Sequence, residues 1–210
     1  HCFVWGSPWQ SGTLTLDNLR RILRHAADLG TIESIYFEGG EPFLYYTLLL
    51  NGVREAASLG FRVGIVSSGY WATSVPDALE CLKPMAGLLH DLSVSSDLYH
   101  GSDRMSRQAR NAHAAAQQLG IPGGFISIAP PDAEETTPAA GQLPEGESTV
   151  MFRGRAAERL SARAAQFPWT QFTECTHEDL REPGRPPVDP FGNLHICQGI
   201  SLGNLFEMPL

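Results

Sequence analysis

The run Tyr36-Phe37-Glu38-Gly39-Gly40-Glu41-Pro42 holds the densest chemistry in the sequence. Gly39 and Gly40 carry no Cβ, so the main chain there can approach a ligand closely. Glu41 follows as an anionic acceptor for an ammonium or hydroxyl group. Pro42 sets the exit direction and can open a helix. Four cysteines, Cys2, Cys81, Cys175 and Cys197, are spread over 210 residues. They are too few, in too long a chain, for a disulfide-stapled secreted scaffold. A reducing cytoplasm with metal or cluster ligation is the expected setting, although an even count also permits disulfides.

These groups need a frame. β-prone runs occur at 34–38, 62–67, 91–95, 124–129 and 149–152. The first four recur at about thirty residues, the length of a βαβ unit. Between them lie helical patterns. Leu19, Ile22, Leu23, Ala26 and Leu29 mark one face of a helix over 16–29, with Thr15 to cap its start and Gly30 its end. Further helices are expected over 44–59, 77–82 and 106–119. Strands alternating with helices imply a parallel sheet. The pattern fits a partial (β/α)6 TIM-like barrel with one strand lost from the front, and it also fits a doubly wound open sheet.

In such folds ligands bind beyond the C-terminal ends of the strands. The expected strand ends carry Gly39-Gly40-Glu41, Ser67-Ser68-Gly69-Tyr70-Trp71, Ser95-Ser96-Asp97 with Tyr99 and His100 beyond, Ala129-Pro130-Pro131, and Arg153-Gly154-Arg155. Any one of these is ordinary turn chemistry, and Asp97 could simply cap a helix. Together they offer an acid, hydroxyls, an aspartate and arginines on one face, an inventory suited to a zwitterionic or sugar ligand. Trp5, Trp9 and Trp71 are expected in the core or at the pocket mouth, and Cys81 packed within a helix.

The formal net charge of −8 argues against a nucleic-acid partner. No apolar run is long enough to span a membrane. Residues 130–148 read as a long loop, a candidate lid, and from Gln166 the alternation stops. A barrel over 1–165 and a small irregular extension over 166–210 are the expected domains.

At the front, His1-Cys2 precedes the first helix, and the strand ending in Gly-Gly-Glu-Pro follows. This order resembles the radical S-adenosylmethionine (SAM) enzymes, from Cys2 to Asn204. That family binds a [4Fe–4S] cluster through Cys-x-x-x-Cys-x-(aromatic)-Cys, and His1-Cys2 resembles the end of that motif. The first two cysteines are not in the sequence, so an N-terminally incomplete chain is expected. The resemblance implies that Cys2 ligates the cluster and that Gly39, Gly40 and Glu41 hold the SAM ammonium. It implies Ser67, Ser95 and Asp97 as ribose contacts, and Arg153, with Arg155 as alternative, for the SAM carboxylate. The implied reaction is reductive cleavage of SAM to methionine and a 5′-deoxyadenosyl radical, fed by a flavodoxin- or ferredoxin-like electron donor.

Cys175, followed by Gly192-Asn193-Leu194-His195-Ile196-Cys197, resembles the start of a SPASM or twitch auxiliary-cluster domain. That resemblance implies a possible second Fe–S cluster at Cys175 and Cys197, with His177 or His195 contributing, and favours peptide or protein modification while leaving a small-molecule or a peptide substrate open. Two other readings are carried alongside. One is a cluster-free barrel module that binds a small polar ligand or partner. The other is a barrel hydrolase using Glu41 and Asp97 as paired acids.

Overall fold

The structure is a computed structural model that describes residues 9–97, 99, 106–129, 131, 147–171, 173, 179–197 and 200–208, with Glu147 and Cys197 described by backbone alone. Cys2, Cys175, His177, His100 and nearly all of the expected 130–148 loop lie outside the described residues.

Helix α1 (Leu16–Leu29) forms where the apolar stripe predicts it. The Thr15 hydroxyl accepts from the Asn18 N–H at 3.1 Å, and Gly30 leaves the helix at φ 73°. Strand β1 (Ser34–Phe37) follows, then a 3-10 turn (Pro42–Tyr45) that runs into α2 (Tyr46–Ser58). Next come β2 (Arg62–Ser67), α3 (Val75–Leu82), β3 (Leu89–Ser95), α4 (Arg107–Gln118), β4 (Gly123–Ile128) and the short β5 (Glu147–Ser148). Ser74 and Ser106 cap α3 and α4 through their side chains, as Thr15 caps α1.

The five strands pair in parallel in the order β1-β2-β3-β4-β5. A doubly wound sheet must reverse its strand order at a switch point. No reversal occurs among these strands, so the sheet is the singly wound wedge of a partial barrel. One face meets the helices: the Phe37 ring lies against Gly52 of α2, and the Phe125 ring centroid is 4.7 Å from that of His113 on α4. Leu23, Val53, Ile65, Leu82, Met85, Leu92 and Val94 are fully buried in that layer. Tyr36 has the opposite parity to Phe37 and stays 46% exposed, as a residue on the interior of an incomplete barrel would.

Gly52 is required by close approach. A Cβ there would sit 2.7 Å from Leu19 Cδ2 and 2.8 Å from Phe37 Cε1, between α1 and β1. Alanine would gain about 1 kcal/mol of helix propensity. Overpacking costs about 1–3 kcal/mol and has two neighbours to displace here. Gly52→Ala is therefore expected to lower stability, by about 1 kcal/mol net, read as a lower thermal midpoint.

The expected fifth strand is displaced. Residues 149–152 are not a strand; the ladder is Ser127↔Glu147 and Ile128↔Ser148, closed by the Ala129 N–H donating to the Ser148 carbonyl at 3.0 Å. Strand β4 ends at Ile128, so nothing remains for 149–152 to pair with. Arg153 thus does not stand at a strand end. It is the N-terminal flank of α5 (Gly154–Leu160) and makes no side-chain capping bond there.

The chain divides into two compact units, one containing Thr15–Ala129 and β5, the other containing Thr149–Leu210. Residues 149–165 group with the C-terminal part, where the sequence places the division at 165/166. That second unit carries α5 and, farther along, an antiparallel hairpin, β6 (Asn193–Cys197) with β7 (Ile200–Asn204). The expected turn before it forms. Gly192 N–H donates to the Asp189 carbonyl at 3.0 Å, and Asp189 Oδ1 accepts from the N–H groups of Phe191 and Asn193. Burial raises the Asp189 pKa, but the hydrogen bonds from Asn193, Phe191 and His195 outweigh it and hold the carboxyl below its ordinary value. No helix among the described residues is long and apolar enough to cross a membrane.

Candidate active site

The C-terminal ends of β1 and β2 are fastened together by one side chain. Glu41 Oε1 accepts from the Ser67 hydroxyl at 2.9 Å and the Phe43 N–H at 3.2 Å. Its Oε2 accepts from the Ser68 N–H at 2.8 Å and the Ser68 hydroxyl at 2.6 Å. A carboxylate offers about four lone-pair sites, and four donors fill them. Ser67 is 2% exposed. Its oxygen donates to Glu41 and accepts from the Gly69 N–H at 3.0 Å and the Trp71 indole N–H at 2.8 Å. The Trp71 ring stacks on Phe43 at a centroid distance of 4.0 Å. Burial, and then the charge of Glu41, push the Tyr70 phenol above its ordinary pKa.

Above this brace, among the described residues, the main chain is open. Gly39 has φ 116°, and both Gly39 and Gly40 are exposed, with no heavy atom of the described residues within 4 Å of where a Cβ would stand. The positive φ favours glycine at position 39. The open space suits a ligand that meets backbone rather than side chain.

At the end of β3, Ser95 is half-buried and Asp97 is 7% exposed. Asp97 Oδ1 accepts from the Tyr99 N–H at 3.0 Å and Oδ2 from the Ile128 N–H at 3.3 Å, tying β3's exit to β4. A polar hollow of about 200 Å³ lies lower on the sheet, lined by Ser34, Tyr36, Arg62, Gly64, His90 and Asp91. Ser34 and Arg62 open their strands, so it sits toward the end of the sheet opposite Gly39, away from where ligands of such folds bind.

The family model of the radical SAM superfamily matches residues 1–137. The chain belongs to the radical SAM superfamily. A curated relative, the "Putative peptide biosynthesis protein YydG" of Bacillus subtilis (strain 168), is 28% identical over 112 residues, which is 53% of this chain and 35% of the relative. The chain therefore spans about a third of that relative's length. Two solved structures share the fold over the whole chain. Native anSMEcpe with bound AdoMet matches at a TM-score of 0.57 and 11% identity, over 74% of its own length. Streptococcus suis SuiB bound to precursor peptide SuiA matches at 0.50 and 14%, over 59% of its length.

Membership of the radical SAM superfamily implies SAM and a [4Fe–4S] cluster as cofactors. The open glycine pair at the end of β1 fits SAM, whose amino acid portion carries donors for main-chain carbonyls. For the radical SAM residues read from sequence, the structure brings Glu41 and Ser67 together and places Gly39 and Gly40 beside them. Ser67, the ribose contact implied by the resemblance, is buried, with its hydroxyl bonded to three partners and on the β2 parity of Val63 and Ile65. Arg153 and Arg155 belong to the other unit. Arg155 Nε is buried with no partner among the described residues. Cys81 sits half-buried in α3, where burial raises its thiol pKa, as expected of a packed helix cysteine.

Sequence named Ser68 only within the strand-end run, Trp71 there and as a core or pocket-mouth aromatic, and Phe43 not at all. The available signal was the doubled serine at a strand end, with a tryptophan three residues on.

Proposed function

We propose that this chain is the catalytic part of a radical SAM enzyme that generates a 5′-deoxyadenosyl radical and uses it on a peptide or protein substrate. The observation that carries the reading is the exposed Gly39-Gly40 main chain, held by Glu41 at the C-terminal end of β1 in a chain of this superfamily. Cys2 would be one ligand of a [4Fe–4S] cluster, which when bound would supply the electron for SAM cleavage. The chain's own residues have positional tasks. Gly39 and Gly40 receive the SAM ammonium, with Glu41 fixing their loop. Ser67, Ser95 and Asp97 are the ribose candidates, with Ser95 the most exposed of the three. Arg153 or Arg155 is assigned the SAM carboxylate on resemblance alone.

The peptide substrate is supported by the relative named for peptide biosynthesis. A reducing cytoplasm and a flavodoxin or ferredoxin donor follow from the chemistry. An auxiliary cluster at Cys175 and Cys197 is part of the proposal, since β6 carries Cys197 at its end behind the Gly192 turn.

Anaerobic reconstitution of the full-length protein tests this. A brown protein absorbing near 400 nm (roughly, as thiolate-ligated clusters do) that forms 5′-deoxyadenosine under reduction is the expected result. Cys2→Ala should lose both properties while keeping its secondary structure. A colourless, folded, full-length protein would instead support the cluster-free binding module.

A further inference from the structure

Glu41 is usually the residue one would aim at the ligand, yet its two oxygens are already occupied. The tightest partner is Ser68, which contacts Oε2 with its hydroxyl at 2.6 Å and its N–H at 2.8 Å. The partners of Oε1 stand farther off, at 2.9 and 3.2 Å. Ser68 lies 27 residues from Glu41 and on a different loop, so this contact sets where the β1 loop sits relative to β2. The stack of Trp71 on Phe43 and the Trp71 bond to Ser67 support the same junction from below.

We propose that Ser68 is a positioning residue for SAM: its hydroxyl and N–H clamp the Glu41 carboxylate into the fold and so hold in place the Gly39-Gly40 main chain already assigned to the ammonium. The proposal rests on the SAM-site reading above. An ammonium has three N–H donors and can be satisfied by carbonyl oxygens. Gly39 and Gly40 are the exposed backbone beside the clamp, with open space, among the described residues, where side chains would be. A direct ion pair would require Glu41 to release a donor it now holds, at the cost of leaving that donor unpaired.

The two arrangements predict opposite results for Ser68→Ala. If Glu41 pairs with the ammonium, removing the hydroxyl frees a lone pair and binding stays equal or tightens. If Ser68 is the clamp, the loop loosens and binding weakens.

The experiment uses the full-length, cluster-loaded protein, with SAM titrated by calorimetry and turnover followed by 5′-deoxyadenosine. Ser68→Ala is expected to raise the SAM dissociation constant about tenfold, the scale of one charge-assisted hydrogen bond. KM for SAM should rise in parallel, while kcat at saturating SAM stays within about twofold. Ser68→Thr, which keeps the hydroxyl, should recover most of the affinity. Unchanged or tighter SAM binding in Ser68→Ala overturns the clamp and leaves the SAM site standing. Failure of Ser68→Ala to fold overturns it as well, because Ser68 would then serve the core. Failure of the wild-type protein to bind SAM sinks the site reading, and the clamp with it.

Discussion

Glu41→Ala is expected to lower SAM cleavage by about 100-fold or more, the scale of a misplaced binding loop. It should also lower the unfolding free energy by about 2–3 kcal/mol. From sequence the expectation is lost cleavage with an intact fold; the structure adds the stability cost. Removing the carboxylate strands the Ser67 hydroxyl, the Ser68 hydroxyl and N–H, and the Phe43 N–H at once. Part of that loss is recovered by water, because the adjoining Gly39 and Gly40 are exposed. Glu41→Gln is expected to fall between the two, since one amide oxygen survives while its NH₂ meets donors. Urea unfolding and 5′-deoxyadenosine formation measure both effects. Full cleavage by Glu41→Ala would remove Glu41 from the SAM site altogether.

Trp71→Ala is the second large effect. It deletes a half-buried indole stacked on Phe43 and takes a donor from Ser67. Large aromatic truncations in a core cost about 3–5 kcal/mol, and partial exposure puts this one near about 3 kcal/mol. That is a sizeable share of the roughly 5–15 kcal/mol that holds a domain together. Trp71→Phe keeps a ring against Phe43 and loses only the indole N–H, so its cost should be about 1 kcal/mol. Denaturant midpoints of the two variants separate stacking from hydrogen bonding. Equal losses would show that the bond to Ser67, and not the stack, carries the junction. Because the junction underlies the glycine loop, Trp71→Ala should also weaken SAM binding, whereas Gly52→Ala, at the α1–α2 contact, should not.

Much of the frame was legible locally. Leu19, Leu23 and Ala26 repeat at helical spacing, and α1 starts and stops at Thr15 and Gly30 as their side chains and φ preferences require. The strands 62–67 and 34–37 appear within a residue of expectation because alternating β-prone runs bounded by turns leave few choices. The fifth strand was misplaced for a specific reason. Thr149-Val150-Met151-Phe152 has strand-like residues, but strand extent is set by where the neighbour ends, and β4 ends at Ile128.

The amino-acid sequence alone placed Gly39-Gly40-Glu41 at a strand end and pointed to the superfamily, since both depend on residue types and their order along the chain. Barrel or open sheet could not be read there, because both folds share one hydrophobic periodicity and differ only in which strands become neighbours. Nor could the sequence show that the Glu41 carboxylate is engaged. Its partners are 26 and 27 residues away, and only the parallel pairing of β1 with β2 brings their loops within 3 Å of it.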